Sequence, residues 1–273
     1  MDKKIEKLSS IIIRSGRTIV LFSGGTDSAF LLKMCAVFAG PSNITAVTAV
    51  SESYTKSELE NARLFAKGLN VEHLIIETSE LSNPSFIANN PDRCYHCKKE
   101  LFSKVLKMAA ERCVKTIFDG TNYDDLSDYR PGRKAAAESG IISPLLDAGF
   151  TKEDVRKYSK EIGLETWDAV PNPCLASRIP YGNAITAEKL DAVRLAESFI
   201  RELGFRELRV RHHGETARIE VPPEEIPRIC DERIRIQICQ YLKELGFTWV
   251  SLDMNGYRRG SLNENIRVEG KNQ

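Results

Sequence analysis

A short polar loop between two apolar segments, Ser23-Gly24-Gly25-Thr26-Asp27-Ser28, has the residue types that bind phosphate. The glycine pair lets the backbone turn tightly and approach a ligand without an intervening Cβ atom. A helix that begins in the loop would add unpaired N–H groups and the positive end of its dipole. The two serines supply hydroxyl groups, and Asp27 supplies a carboxylate for a magnesium ion held against phosphate oxygens. The loop therefore predicts a nucleotide-phosphate site.

The segments on either side predict the elements that position this loop. Residues 18–22 are typical of a buried strand and residues 29–34 of a helix. No Gly-Lys-Ser/Thr follows the glycines, so the loop is not a Walker A loop. The alternative is a turn that merely uses glycine, but a phosphate loop must lie directly after a strand, as this one does. It resembles the loop of the PP-loop pyrophosphatases, which bind the pyrophosphate end of ATP.

Three cysteines are candidates for metal or sulfur chemistry. Cys94 and Cys97 form a Cys-x-x-Cys pair, and Cys174 lies in a proline-framed segment, residues 171–174, near Arg178. A single pair suits redox chemistry, half a zinc site or chance, because structural zinc needs two further ligands. A neighbouring cation lowers the pKa of a thiol, which suits Cys174 as a nucleophile or metal ligand. If the three thiolates converge, they can hold a [4Fe-4S] cluster with one iron left open.

Charged residues alternate with apolar ones in two predicted strands near the C-terminus. Arg209 and Arg211 lie in the strand 207–212, and Arg218 and Glu220 in the strand 217–221. Alternation places each pair on one face of its strand. The face that carries Arg209 and Arg211 is either a solvated surface or, together with Arg218, a cationic pocket for carboxylate or phosphate groups. The pattern leaves both open.

The order of predicted elements favours an α/β fold. The predicted strands of the first part lie at residues 18–22, 44–50, 71–76 and 116–119. Because helical segments separate them, we expect a parallel sheet covered on both faces. Ligands bind such sheets at the carboxyl ends of strands, which places Ser51 and Gly120 along the same edge as the loop. The polar segment 119–132 at this edge is either a solvated loop or, as its position favours, an active-site loop.

The remainder of the chain predicts a second, smaller domain. It combines helices at 187–203 and 223–245, the latter in one or two pieces, with strands at 207–212, 217–221 and 248–252. We place the domain boundary after the proline-framed segment. The expected domains are residues 1–182, which carry the phosphate loop and the three candidate cysteines, and residues 183–273.

Composition excludes several other classes of protein. The 273 residues are 42% hydrophobic and 28% charged, as in ordinary globular proteins. A net charge of +1 gives no sign of a nucleic-acid or membrane surface. The N-terminus lacks the apolar core of a signal peptide, and no apolar run reaches membrane-spanning length. We therefore expect a cytoplasmic protein, in which seven cysteines do not form a disulfide framework.

Six segments taken together resemble the LarE family, in the same order and over nearly the whole chain. They are residues 23–28, 93–98 (RCYHCK), 119–132 (DGTNYDDLSDYRPG), 173–182 (PCLASRIPYG), 209–221 (RVRHHGETARIEV) and 252–264 (LDMNGYRRGSLNE). The resemblance implies a PP-loop ATP pyrophosphatase domain of the HUP-like α/β type. It also implies a smaller C-terminal α/β domain for substrate binding and oligomerisation.

The resemblance implies an ATP-dependent sulfur transferase of nickel-pincer nucleotide biosynthesis. The implied substrate is pyridinium-3,5-biscarboxylic acid mononucleotide, whose carboxylates are adenylylated and converted to thiocarboxylates for the lactate racemase cofactor. In one type of member a single cysteine, at the position of Cys174, gives up its sulfur and becomes dehydroalanine. Those members lack the Cys-x-x-Cys pair. Cys94 and Cys97 therefore imply the other type, in which a [4Fe-4S] cluster on three cysteines carries an extra sulfide.

The same resemblance implies ATP, Mg²⁺ and the cluster as cofactors. Four arginines would neutralise the anionic substrate and the charge that develops at phosphorus: Arg178, Arg209, Arg211 and Arg218. Glu220 would orient them or bind magnesium. The implied partners are an upstream carboxylase and a downstream nickel-inserting enzyme of the same pathway. The implied assembly is a homo-oligomer, which is a hexamer in the family. The implied catalytic residues are Cys174, Arg178, Arg209, Arg211 and Glu220; those for ATP are Ser23, Gly24, Gly25, Thr26, Asp27, Ser28, Ser51, Gly120 and Arg218; the metal ligands are Cys94, Cys97 and Cys174 for the cluster and Asp27 for magnesium.

Three other functions remain open at this point. A cluster-dependent tRNA thiolase would share the loop and the cysteines, although the near-neutral chain lacks a basic patch interleaved with aromatic residues. A PP-loop amidotransferase-type synthetase would activate a carboxylate in the same way but would not need the three cysteines. A nucleotide-binding sensor would bind ATP without releasing pyrophosphate.

Overall fold

A computed structural model describes residues 2–51, 54, 56–126, 131–169, 173–258 and 260–263. Internal contacts divide the chain into two units, which are described separately. The first comprises Met1–Glu80 and Cys94–Pro171, and the second comprises Leu81–Arg93 and Asn172–Gln273. The predicted division of the chain after residue 182 stays a prediction.

Helices and strands alternate along the first part of the chain, as the sequence predicts. The helices are α1 (Lys3–Ser15), α2 (Thr26–Ala39), α3 (Lys56–Gly68), α4 (Pro84–Ile87), α5 (Arg93–Glu111), α6 (Pro131–Glu138), α7 (Pro144–Asp147), α8 (Lys152–Glu161), α9 (Ala187–Glu202), α10 (Ile226–Ile229) and α11 (Glu232–Glu244). The strands are β1 (Thr18–Leu21), β2 (Ile44–Val50), β3 (Glu72–Glu77), β4 (Thr116–Phe118), β5 (Arg209–His213), β6 (Thr216–Glu220) and β7 (Trp249–Leu252).

The first unit is built on a parallel four-stranded sheet in the order β3-β2-β1-β4. An apolar core covers each face of this sheet. Neighbouring side chains of the buried strand β1 point to opposite faces and belong to different cores. Val20 packs with residues of α1, α2 and α3, and Ile19 packs with residues of α5 and α6. A strand buried on both faces reads as a continuous apolar run, which is the pattern that predicted it. The expected α/β class is thereby confirmed.

Residues 93–111, to which the sequence analysis assigns no element, form the 19-residue helix α5. Phe102, Val105 and Ala109 recur at helical spacing and are buried in the core on one face of the sheet. The Cys-x-x-Cys pair therefore lies on a helix. Among the helices that the structure describes, none is long and apolar enough to cross a membrane.

The second unit contains a three-stranded sheet in the order β5-β6-β7. Strands β5 and β6 are antiparallel, and β7 runs parallel to β6. Gly214, with a positive φ of 63°, lies in the turn between β5 and β6. Residues of α9 and α11, such as Ile200 and Leu242, pack on the apolar residues of this sheet. The small α/β module expected from the sequence is thus present.

Candidate functional site

The phosphate loop leads directly from β1 into α2, as its sequence predicts. Gly24 adopts a left-handed φ of 79°, which suits glycine, and Gly25 is the N-cap of the 14-residue helix α2. Thr26 begins the helix, and Asp27 lies in its first turn. The first turn of a helix leaves backbone N–H groups without partners inside the helix and carries the positive end of the dipole. This geometry suits an anionic ligand.

Two serine hydroxyls shape the loop from within. The Oγ atoms of Ser23 and Ser28 lie 3.1 Å apart, and the N–H of Ser23 donates to Ser28 Oγ at 3.3 Å. Ser28 is buried and donates in turn to the Gly25 carbonyl, whereas Ser23 is exposed. The Thr26 hydroxyl donates to the Thr166 carbonyl at 2.8 Å. Ser28 and Thr26 therefore hold the loop in place, and Ser23 offers the accessible hydroxyl.

The end of β4 approaches the loop closely at Gly120. A Cβ atom at this position would lie 3.1 Å from the backbone nitrogen of Ser28, so only glycine fits without a shift of the loop. The preceding residue, Asp119, is buried, and its carboxylate accepts hydrogen bonds from Thr121 and Ser143. Asp119 thus fixes the turn that brings Gly120 to the loop.

The predicted loop 119–132 is described as far as residue 126; residues 127–130, which include Asp128 and Arg130, lie outside the described residues. Within the described part, Asp125 is buried and accepts the N–H of Asn122, and Asp124 accepts the N–H of Lys152. Asp125 therefore stabilises a turn within the loop, and Asp124 joins the loop to the start of α8. A cavity of about 610 Å³ lies nearby, with Thr121, Arg133, Lys134, Ser143 and Asp147 in its lining.

Cys94 and Cys97 lie one turn apart at the start of α5, on the same side of the helix. Cys94 is exposed, and the half-buried Cys97 donates its S–H to Glu80 at 3.2 Å. Cys174 belongs to the second unit, where it is the exposed N-cap of a short 3₁₀ turn, Leu175–Arg178. None of the seven cysteines, all within the described residues, forms a disulfide.

Arg178 connects the Cys174 segment to α9. The guanidinium is fully buried, and its Nη1 donates to the Pro173 carbonyl at 2.8 Å and to the Cys174 carbonyl at 3.4 Å. Its Nε and Nη2 donate to the two carboxylate oxygens of Glu197, which is also fully buried. Arg178 therefore fixes the backbone at Cys174.

Glu197 is a site residue that the sequence analysis missed. Its carboxylate accepts hydrogen bonds from Arg178, from Arg201 at 2.8 Å and from the Val210 N–H at 3.1 Å. Burial alone would raise the pKa of Glu197, but the hydrogen bonds and charge of Arg178 outweigh it and hold the pKa below its ordinary value. Glu197 therefore stays ionised among the arginines around it.

The charged face of the hairpin formed by β5 and β6 is confirmed by its register, in which Arg209 lies opposite Glu220 and Arg211 opposite Arg218. Arg211 forms a bidentate pair with the buried Glu220 at 2.8 and 3.0 Å, and Arg218 donates to the same carboxylate at 2.8 Å. Arg209 is also buried, and burial together with the charge of Arg178 lowers its pKa to about 10. Glu220 therefore fixes the position of two cations.

Comparison with known proteins identifies the family. Residues 17–91, which include β1, the phosphate loop, β2 and β3, match the family described as queuosine biosynthesis protein QueC. The chain is also 39% identical over 254 residues to pyridinium-3,5-bisthiocarboxylic acid mononucleotide synthase of Lactiplantibacillus plantarum, a LarE protein. That alignment covers 92% of this chain and 90% of the synthase. The chain belongs to the LarE family.

Two further relatives differ in how much of their length this chain matches. An uncharacterised Synechocystis protein is 40% identical over 263 residues, which cover 96% of this chain and 98% of that protein. A tRNA sulfurtransferase of Desulfurococcus amylolyticus is 26% identical, over 80% of this chain but 47% of its own length. The resemblance to LarE thus extends over whole proteins, and that to the tRNA enzyme over about half of one.

The structure brings most of the residues predicted from the LarE resemblance together within each unit. In the first unit, Gly120 meets the phosphate loop, and Cys94 lies beside Cys97. Ser51 follows the end of β2, where its carbonyl accepts the N–H of Tyr54 at 3.0 Å. In the second unit, Arg209, Arg211, Arg218 and Glu220 share one face, and Arg178 lies beneath the Cys174 turn.

Proposed function

We propose that this LarE-family protein is an ATP-dependent sulfur transferase that converts the carboxylates of pyridinium-3,5-biscarboxylic acid mononucleotide to thiocarboxylates. The observation that carries the proposal is the full-length similarity to a synthase named for the bisthiocarboxylic acid mononucleotide. The phosphate loop supports it, because the loop suits ATP and follows β1 as a PP-loop must. The product would serve the nickel-pincer cofactor of lactate racemase.

The first chemical step activates a carboxylate. A carboxylate oxygen of the substrate attacks the α-phosphorus of ATP, and the bond to the pyrophosphate group breaks, which leaves an acyl-adenylate. The N–H groups at the start of α2 and the Ser23 hydroxyl would hold the departing pyrophosphate. Asp27 would bind Mg²⁺, since magnesium in such sites needs only one or two carboxylates alongside phosphate oxygens.

The second unit would bind the anionic substrate. Arg209, Arg211 and Arg218 lie on one face of the hairpin, and their charge suits the phosphate and carboxylate groups of a mononucleotide. Glu220 holds Arg211 and Arg218 at fixed distances, so their side chains need not be ordered when the substrate binds. These residues would position the carboxylate for attack and stabilise negative charge at phosphorus.

The second chemical step introduces sulfur. A sulfur nucleophile attacks the acyl carbon, the bond to AMP breaks, and AMP leaves with the electron pair. A second round converts the other carboxylate.

Cys94, Cys97 and Cys174 are the proposed ligands of a [4Fe-4S] cluster, which when bound would supply the sulfur for transfer. Within the described residues, no group of three or more Cys, His, Asp or Glu side chains is arranged to hold a metal ion. The donor chemistry nevertheless fits, because Cys94 and Cys97 lie one turn apart and Cys174 is exposed. Arg178 would hold the backbone of Cys174 in position.

Incubation of anaerobically purified protein with ATP, Mg²⁺ and the mononucleotide tests this function. We expect release of pyrophosphate and AMP together with a heavier product, in which sulfur replaces a carboxylate oxygen. Pyrophosphate release that requires tRNA instead of the mononucleotide would identify a tRNA thiolase. Release of amide product from ammonia, unaffected in Cys174→Ala, would identify an amidating synthetase. Binding of ATP with no pyrophosphate release would identify a sensor.

The proposed pathway context includes an upstream carboxylase, which supplies the mononucleotide, and a downstream enzyme, which inserts nickel. We also propose a cytoplasmic location and a homo-oligomer, with the hexamer of the family as the expected state. Size-exclusion chromatography with light scattering tests the oligomer, and a monomer at assay concentration would contradict it.

A further inference from the structure

The peptide that enters the phosphate loop is held by a side chain of the neighbouring strand. The sheet hydrogen bonds of β1 end where the Phe22 N–H donates to the Val47 carbonyl at 2.8 Å. The Phe22 carbonyl then accepts a hydrogen bond from the hydroxyl of Thr48, on β2, at 2.7 Å. Phe22 and Thr48 are both buried. The N–H of Phe22 is therefore paired with a backbone carbonyl, whereas the carbonyl of the Phe22–Ser23 peptide is paired with the hydroxyl of Thr48.

His73, on β3, fixes the direction of this hydroxyl. Its Nε2 lies 2.7 Å from Thr48 Oγ1. A hydroxyl has one hydrogen, and the Phe22 carbonyl can only accept, so the hydrogen of Thr48 points to Phe22. His73 must therefore donate from Nε2 to Thr48. The result is a chain of two hydrogen bonds that runs from His73 through Thr48 to the carbonyl of Phe22.

The orientation of carbonyl groups matters in a loop that binds anions, because N–H groups must face the phosphate and carbonyl oxygens must not. The next carbonyl, that of Ser23, accepts from the Tyr54 hydroxyl at 3.3 Å. The carbonyl of Gly25 accepts from Ser28 Oγ at 3.0 Å. Three carbonyl oxygens at and near the loop are thus directed to hydroxyl groups of the protein.

We propose that Thr48 and His73 are positioning residues for ATP binding, which hold the Phe22–Ser23 peptide so that the loop presents its N–H groups to the pyrophosphate end of ATP. Neither residue touches the nucleotide in this account. The inference rests on the proposed function, since it requires that the loop binds ATP.

A set of three β2 variants tests the proposal. Thr48→Val keeps the shape of the side chain and removes the hydroxyl, whereas Thr48→Ser keeps the hydroxyl. Thr45→Val is the matched control, because Thr45 is also buried on β2 but donates to Glu72, not to the loop. The readouts are the Kd of ATP by calorimetry, the KM for ATP and for the mononucleotide, and the Tm of each variant.

We expect Thr48→Val to weaken ATP binding about tenfold, the effect of one buried hydrogen bond, and to leave the KM for the mononucleotide unchanged. Thr48→Ser should restore ATP binding, and Thr45→Val should lower Tm without changing the Kd of ATP. His73→Leu should weaken ATP binding less than Thr48→Val and add nothing in the double variant, because it acts through Thr48.

Equal Kd values for ATP in the wild type, Thr48→Val and Thr45→Val would overturn the proposal. If Thr48→Val does not fold, the His73 variants provide the test. His73→Gln keeps a hydrogen-bond donor and His73→Leu does not, so equal Kd values for ATP in these two variants would overturn the proposal. Failure of the proposed function appears separately. A wild type that binds ATP but forms no thiocarboxylate would refute sulfur transfer and leave the roles of Thr48 and His73 testable by calorimetry.

Discussion

Arg178 and Glu197 form a bidentate ion pair in which both side chains are fully buried, with donor–acceptor distances of 2.7 and 2.9 Å. The remaining nitrogen of the guanidinium, Nη1, donates to the carbonyls of Pro173 and Cys174. Through this arrangement a carboxylate on α9 determines where the backbone of Cys174 lies. The pair therefore links the stability of the second unit to the geometry of its proposed sulfur site.

Glu197→Ala should strongly destabilise the protein, because it leaves the buried guanidinium of Arg178 without its carboxylate. Removal of one partner from a buried pair costs about 3–5 kcal/mol in the free energy of unfolding. The control is Glu232→Ala, which removes an exposed carboxylate 3.7 Å from Arg235 and should cost no more than about 1 kcal/mol. Urea titration of both variants measures the difference. Equal unfolding free energies would show that the buried pair contributes no special stability.

Replacement of any one of Cys94, Cys97 or Cys174 by alanine should lower the iron and acid-labile sulfide bound per chain, because three thiolates are the proposed ligands. Cys113→Ala and Cys230→Ala are matched controls, since both cysteines are also exposed and neither is a proposed ligand. Elemental analysis of anaerobically reconstituted protein provides the measurement. Full iron content in all three ligand variants, or the same loss in the controls, would contradict the ligand set.

The free energy of unfolding should decrease as the pH falls below about 6.5, the ordinary pKa of histidine. Burial, with nearby cations, lowers the pKa values of His73, His212 and His213, so the unfolded chain takes up protons that the folded chain does not. Carboxylates with lowered pKa values, such as Glu72, lose their contribution only below their ordinary value of 4.5. Urea titration across this range separates the two windows. His73→Leu should show a shallower decrease near pH 6.5, and an unchanged slope would contradict the assignment.

Gly120→Ala should weaken ATP binding by about tenfold or more, because its Cβ atom would lie 3.1 Å from the backbone of Ser28 and displace the phosphate loop. Gly68→Ala is the control, since a Cβ atom there meets nothing within 4 Å. Calorimetry with ATP provides the readout. Unchanged affinity in Gly120→Ala would show that the loop tolerates the displacement.

Local patterns in the sequence predict the strand, loop and helix around residues 23–28 and the shared faces of the charged residues in the hairpin. The loop between residues 18–22 and α2 is recognisable because an apolar run, two glycines and a helix follow each other directly. Arg209 and Arg211 are assigned to one face because alternation fixes side-chain direction in a strand. Both features depend on residues close together in the chain.

Local patterns do not predict features that depend on contacts between residues far apart in the sequence. Glu197 reads as an ordinary polar residue of α9, and only the folded chain brings it to Arg178. The first residues of α5 are mostly polar, and its buried apolar residues begin only at Phe102, so no clear helical period marks the segment that carries the cysteine pair. Residues 81–93 join the second unit through Asn89, whose side chain donates to the carbonyl groups of Pro180 and Asn183 at 2.8 and 2.9 Å. No local period indicates that contact.

The most direct test of the account is mass spectrometry of the mononucleotide after incubation with ATP, Mg²⁺ and cluster-loaded protein, in parallel with Cys174→Ala. The account predicts one and then two exchanges of oxygen for sulfur in the wild type, each accompanied by release of pyrophosphate and AMP. It predicts pyrophosphate release without sulfur incorporation in Cys174→Ala, since the phosphate loop and the arginines remain. Sulfur incorporation at the wild-type rate in Cys174→Ala, or none in the wild type, would contradict it.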